Sequence, residues 1–323
     1  MVTPTGVDTI TSISRRVIRE EATDVFYLGS PFTYRLFRQN RVVRRGGLHI
    51  ESRFIYQGWS TGGAFYGPEV LNVEPSDNEI SGAWDWKEYY SNVTLDQRSL
   101  IRADSEYAVA NYVVEQCELA KMDMQDKIAY GIWSDGSNYK ALDGMFDIVD
   151  DGSHGGQSTY AGLSRSSYPF LKANVDAATT TLGMNAMNSL WDLSSKGARA
   201  PTLTVGTRAN LTRYENLLQA QVQYTQPTSV VDQTFANGGF SGGWYRNQPF
   251  LVDEHINPTG TEGLLFFLNE NYFELVVNQN GDFEVGDFQQ PTNQFVIVSL
   301  IYFAGALVNT NPQTNGKFTV LAA

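Results

Sequence analysis

The sequence predicts an α+β chain in two domains, with an α/β unit of residues 160–265 inserted into an α+β body. Three observations lead there. At 323 residues the chain exceeds the roughly 250–300 at which a single core stops growing. A long amphipathic stretch, residues 104–133, reads as one helix spanning a whole domain. Before it the chain reads as strand with a period of two and its end reads as strand again, whereas residues 160–265 mix helical and strand patterns.

Taken in order, residues 1–30 are polar, with a short helical candidate from Ser14 to Phe26. That helix has too little apolar surface to fold unless it lies on something else. Residues 32–57 read as extended, with a turn at Gly46-Gly47 and a period-two strand in HIESRFIY. A glycine-, proline- and aromatic-rich loop follows, and the chain returns through ISGAWDWKEYYSNVTLDQ, again with strand periodicity. Residues 48–95 thus form a two-stranded excursion. Such a hairpin is marginal alone in water, and exposed Trp59, Phe65 and Tyr66 at its tip call for cover from another subunit.

The long helix comes next. Val113, Cys117, Ala120, Met124, Ile128 and Ile132 recur at steps of three and four along one face. Asp123 sits four residues before Lys127 on the opposite face, a favourable orientation for an exposed pair. Asp104 or Ser105 can cap its start, and Gly131 with Gly136 marks its end. LDGMFDIVDDG then reads as a short strand, Phe170 to Leu193 as a second helix, PTLTVGT as a strand and Arg208 to Gln219 as a third helix. A glutamine-rich loop with Gln221, Gln223 and Tyr224 precedes the strands QPFLVDEHI, LLFFLN and YFELVV. The run Phe295 to Val308 is about 14 residues, short of the 18 or more that span a bilayer. It is expected to be one long buried strand or two short ones, in a soluble protein.

Composition narrows the function. The formal net charge of −12 argues against nucleic-acid binding as the main activity, because such affinity rests on phosphate neutralisation. Residues 1–45 nevertheless hold eight arginines against four acids, which makes a basic arm suited to an acidic neighbour. Cys117 is the single cysteine, so no disulfide joins two parts of the chain and no thiol metal cluster forms. Met1–Gly6 lacks the features of a signal peptide.

Catalytic signals are weak. The three histidines stand apart, and no HExxH, CxxC, Walker loop or dinucleotide fingerprint is present. GFSGG, around Ser241, matches the nucleophile-elbow spacing, yet neither the preceding strand nor the following helix that the mechanism requires is predicted. Asp253 and His255 can face one side of a strand, a two-ligand set too small for a metal. Asp147, Asp150 and Asp151 lack calcium-loop spacing. A serine hydrolase using Ser241 remains the enzymatic alternative.

Several stretches resemble the major capsid proteins of tailed double-stranded DNA bacteriophages, with the Hong Kong 97-type fold. NEISGAWDWKEYYSNVTL is similar to the returning strand of that family's extended loop, followed by its spine helix. DGMFDIVDDG with TYAGLSRSSYPFLKANVD resembles its strand, glycine loop and Ser-Arg step. GWYRNQPFLVDEHINPTGTEGLLFFLNENYFELVV and FVIVSLIYFAGALVNTNPQTNGKFTVL resemble its late strands.

The resemblance implies an arm (1–35), an extended β-hairpin loop (36–97) and a peripheral domain (98–159 and 266–323, with the spine helix at 104–133). It implies an axial domain at 160–265. It further implies self-assembly into hexamers and pentamers of an icosahedral virion capsid, put together in the bacterial host cytoplasm. That shell would enclose double-stranded DNA without sequence specificity, with no enzymatic activity, cofactor or membrane. The expected assembly interface comprises Arg15, Arg16, Arg19, Arg44, Arg45, Trp59, Phe65, Tyr66, Gln221, Gln223 and Tyr224. Portal and decoration proteins, and a separate scaffolding protein, are the further partners implied. Lys87 is the single lysine of the extended loop and lies at its base, so no lysine–asparagine cross-link of the kind some relatives make is expected. The alternative within the fold is an encapsulin-type nanocompartment shell.

Overall fold

The structure is a computed structural model that describes residues 30–39, 41–58, 61–71, 74–75, 77–102, 106–218, 242–256 and 264–319. The helical candidate at Ser14 to Phe26 and the caps Asp104 and Ser105 lie outside them.

The chain enters through α1 (Pro31–Arg38), where the sequence reads as extended. The physical reason is local. Ser30 sits at the N-cap position with Pro31 first in the helix, its carbonyl accepts from Tyr34 N, and Phe32 and Leu36 bury one face four residues apart. Strand β1 (Val42–Arg45) follows, then the hairpin β2 (Ile50–Ile55) and β3 (Glu79–Trp84). Strand β4 (Lys87–Asp96) does not continue the hairpin; it pairs with β14 (Val296–Asn309) along ten residues. Only β2 and β3 therefore stand as a two-stranded excursion.

A short α2 (Gln97–Arg102) leads to the spine, α3 (Glu106–Ile132), 27 residues and about 40 Å long. Val113, Cys117, Ala120, Met124, Ile128 and Ile132 are all buried, as the apolar stripe requires. Asp123 and Lys127 pair at 2.6 Å on the outer face. The spine lies on β4 and β14. Those strands belong to a five-stranded sheet in which β12 (Phe273–Asn278) and β13 (Glu284–Val285) share the other edge of β14, and β1 runs parallel beside β12.

After the spine, LDGMFDIVDDG forms a helical turn, α4 (Met145–Ile148), instead of a strand. The Gly144 carbonyl accepts from Asp147 N and Ile148 N, closing the turn. A side chain at Gly144 would place its Cβ 2.3 Å from Ser134 N, so only glycine fits this close approach. Strands β5 (Thr159–Tyr160) and β6 (Leu163–Ser164) make a tight hairpin.

The second helix is shorter than its periodicity predicts. Residues 174–176 form β7 (Asn174–Asp176), and α5 begins only at Met184 (Met184–Ser194). The Asp176 carboxylate accepts from Ala178 N and Thr179 N, turning the chain away from helix. β8 (Leu203–Gly206), α6 (Arg208–Leu218), β9 (Gly242–Tyr245), β10 (Gln248–Val252), β11 (Leu265–Leu268) and β15 (Gly316–Phe318) complete the described elements.

The second sheet runs β7-β15-β11-β8-β10-β9. It is covered on both faces, which explains why LFFL is continuously apolar. Leu265 and Phe267 face Trp191 and Tyr245 under α5, while Phe266 and Leu268 face the larger core that includes the spine. Phe266 meets Trp133 at 5.2 Å and Phe146 at 5.3 Å between ring centroids. Two hydrophobic clusters thus share one sheet, and the spine is packed against it.

A compensated set of buried charges sits where α4 meets β15. Lys317 Nζ lies 2.5 Å from Asp150 Oδ2, both side chains having no solvent exposure. It also donates to the Phe146 carbonyl at 2.9 Å. Asp150 Oδ1 accepts from the backbone N–H groups of Gly152 and Ser153, and Arg165 pairs with Asp147 at 3.1 Å. Burial pushes the Asp147 carboxyl up to about 6 against the pull of Arg165.

Candidate functional site

The hairpin is held firmly at its base and left uncovered at its tip. Six residue pairs join β2 and β3, from Ile50 opposite Trp84 to Ile55 opposite Glu79. Ile50, Phe54 and Trp84 alternate onto one buried face, as period two requires. Phe54 packs against Phe170, and Trp84 meets the Tyr160 ring edge-on. Ala83 N donates to the Ala161 carbonyl at 3.0 Å. This closeness requires Gly82, where a Cβ would lie 2.8 Å from that of Ala161. At the foot of β4, Lys87 reaches Asp143 at 3.2 Å, and the Tyr89 hydroxyl accepts from Leu142 N.

Tyr56 still stacks on Phe170, and Gln57 still bonds the Asp77 carbonyl, but the apolar side chains farther out are exposed. Phe65 is 64% exposed, Tyr66 89% and Val70 100%. Leu48, Ile55 and Leu71 add to this apolar surface. Residues 56–78 carry Glu69, Glu74 and Asp77 with no lysine or arginine. A surface that is acidic and exposes large apolar side chains is suited to contact with another molecule. The tip aromatics Phe65 and Tyr66 were legible from composition. Val70 and Leu71 were passed over, although two adjacent aliphatic residues in a polar loop are themselves a signal.

The basic residues are placed differently from one another. Arg44 pairs with Asp282 at 2.7 Å and Arg45 with Glu274 at 3.6 Å, both within the chain and both partly exposed. Arg15, Arg16, Arg19, Trp59, Gln221, Gln223, Tyr224 and Ser241 lie outside the described residues. The GFSGG stretch runs into β9, a strand and not the helix that a nucleophile elbow needs.

Asp253 and His255 do converge, at 3.3 Å between Oδ1 and Nδ1. The other imidazole nitrogen meets Asp126 of the spine at 2.9 Å. Both ring nitrogens are thus committed to carboxylates. Ser30 Oγ donates to the far oxygen of Asp253, away from the imidazole, so no serine–histidine contact arises. Among the described residues no group of three His, Cys, Asp or Glu side chains is placed to hold a metal. No helix among them is long and apolar enough to cross a membrane.

A spine helix on one sheet, a hairpin reaching out from its base and a second, mixed sheet beyond define a capsid-type architecture. It is the Hong Kong 97-like fold, shared with solved shell proteins across nearly the whole chain. The capsid asymmetric unit of cyanophage A-1(L) superposes with a TM-score of 0.63 at 12% identity, over 93% of this chain and 95% of that one. The capsid of an empty GTA particle gives 0.59 at 11% identity, over 89% and 90%. The holo-SrpI encapsulin complex of Synechococcus elongatus gives 0.59 at 9% identity, over 88% and 87%. No protein-family model matches the chain, and no curated protein matches it in sequence.

Proposed function

We propose that this chain is the structural subunit of an icosahedral bacteriophage head, forming hexamers and pentamers around a double-stranded DNA genome. One observation carries the reading: the hairpin of a capsid-type fold ends in an apolar tip that the other described residues leave exposed. A contact between that tip and a different surface of the next copy is heterologous, and heterologous contacts make rings where the rotation between copies closes. The tip segment, with Phe65, Tyr66 and Trp59, is the anchor of that contact. Gln221, Gln223 and Tyr224 belong to the ring axis, and Arg15, Arg16 and Arg19 to the arm that meets an acidic neighbour. Scaffolding, portal and decoration proteins are the expected further partners, with assembly in the bacterial cytoplasm. The acidic balance of the chain suits a container that holds DNA without fixing it in place.

Arg44 and Arg45 already have partners in the chain, so their reversal to glutamate disturbs Asp282 and Glu274 as well as any neighbour. Assembly of the double variant is expected to fall more at 50 mM than at 500 mM salt, because exposed charges are screened. Light scattering at the two salts reads this, and equal losses would remove the attraction from the interface.

The second reading, an encapsulin-type nanocompartment, is favoured by the likeness to the Synechococcus encapsulin. Particles purified from the native source separate the two. Nuclease-resistant double-stranded DNA is expected inside a phage head; a stoichiometric cargo protein without DNA would support the nanocompartment.

A further inference from the structure

Three segments far apart in sequence meet at His255. It belongs to a short turn after β10 and is mostly buried. Its Nε2 faces Asp126 in the last quarter of the spine at 2.9 Å, and its Nδ1 faces Asp253 at 3.3 Å. Its own backbone N–H also donates to Asp253 Oδ1, at 3.0 Å. The Tyr130 ring, one helical turn beyond Asp126, meets the imidazole edge-on at 4.9 Å between centroids. Asp253 is buried, and its remaining oxygen accepts from Ser30 at the start of α1. The second sheet, the spine and the entry of the chain are therefore tied through one imidazole.

We infer that Ser30, Asp253, His255 and Asp126 form a latch holding the second sheet against the spine, closed while His255 is protonated. A neutral imidazole has one N–H and satisfies only one of the two carboxylates. Loss of the proton leaves the buried Asp253 without a counter-charge, which is costly in a dry site. Two other charged groups nearby are engaged elsewhere. Glu254 points to solvent and pairs with Arg208 at 3.4 Å, and Lys127 is held by Asp123 on the outer face of the spine. Lys121, buried one turn before Gln125 on the spine, and the pair that joins Arg35 of α1 to Glu270 after β11 are further buried charges on neighbouring elements.

The direction of the proton equilibrium agrees with the geometry. The hydrogen bond to Asp253 is the largest influence and, with Asp126, lifts the imidazole to about 9 against the effect of burial. A folded-state value above the unfolded 6.5 means that the stabilisation is fully present below about pH 6.5 and is lost as pH rises through 9.

The latch belongs to the single subunit, so its test is independent of whether the chain forms shells. The chain has three histidines, and their imidazole signals can be followed by carbon-13 NMR on the unassembled full-length subunit between pH 5 and 10. His255 is expected to titrate near 9, and to fall by at least one unit in Asp126→Asn. In His255→Gln, amide exchange in residues 248–252 and 119–130 is expected to quicken at least ten-fold at pH 7, with the β4–β14 ladder unchanged. Titration of His255 at the free imidazole's 6.5, or unchanged exchange in His255→Gln, would overturn the latch.

Discussion

Replacing Lys317 by methionine is expected to lower the stability of the fold by about 3–5 kcal/mol, because it strands the Asp150 carboxylate without solvent or counter-charge. The two side chains are fully buried where β15 meets the turn after α4. Burial lowers the Lys317 pKa, and Asp150 opposes that fall. Burial raises that of Asp150, yet the lysine and the loop N–H groups outweigh it and leave the carboxyl below its ordinary value. The double variant Lys317→Met/Asp150→Asn removes both charges and keeps a carbonyl for the Gly152 and Ser153 N–H groups. It is expected to recover most of the loss. Urea denaturation of the two variants measures this. A single variant as stable as the parent would show that the pair is not held in the dry geometry described.

A triple change at the hairpin tip, Phe65→Asp with Tyr66→Asp and Val70→Asp, has the opposite signature. The three side chains touch little of their own chain, so melting should move by no more than an exposed substitution does, about 0.5 kcal/mol for each. Assembly should collapse. An interface anchor is worth about 2 kcal/mol or more, roughly thirty-fold each in affinity. Sedimentation at matched concentration reads the loss of particles. Shells formed at the parent's concentration would take the tip out of the interface.

Much of the fold was legible because its signals are local. The spine keeps helical spacing over 27 residues without proline, and tertiary packing has no reason to override it. β10, β11, β12 and β14 are apolar runs bounded by Asn, Pro and Gly, and each appears as a strand. Where the reading failed, short-range chemistry outweighed periodicity. Phe32 and Leu36 read as alternating strand residues until Ser30 and Pro31 are seen as a helix start. Met145 to Ile148 is apolar enough for a strand, but Gly144 at a backbone crossing starts a turn of helix. Val175 fitted a helical stripe from Phe170 onward, yet pairs with Lys317 across β7 and β15.

Of the tip, the exposure of Phe65 and Tyr66 was legible, because aromatics in a glycine- and proline-rich loop have no core to enter. The latch was not foreseeable in the same way. Asp253 and His255 stand two apart and were recognised as facing together, but Ser30 and Asp126 reach them from 223 and 129 residues away. No local pattern encodes such a meeting. Lys317 likewise looks like an ordinary surface lysine in NGKFTV until β15 is placed inside the second sheet.

The most direct test of the assembly reading is negative-stain electron microscopy of the chain expressed alone, concentrated, with and without precipitant salt. Rings of five or six subunits, tubes or closed shells are the expected result. A monodisperse monomer that forms no ordered polymer under either condition would contradict it.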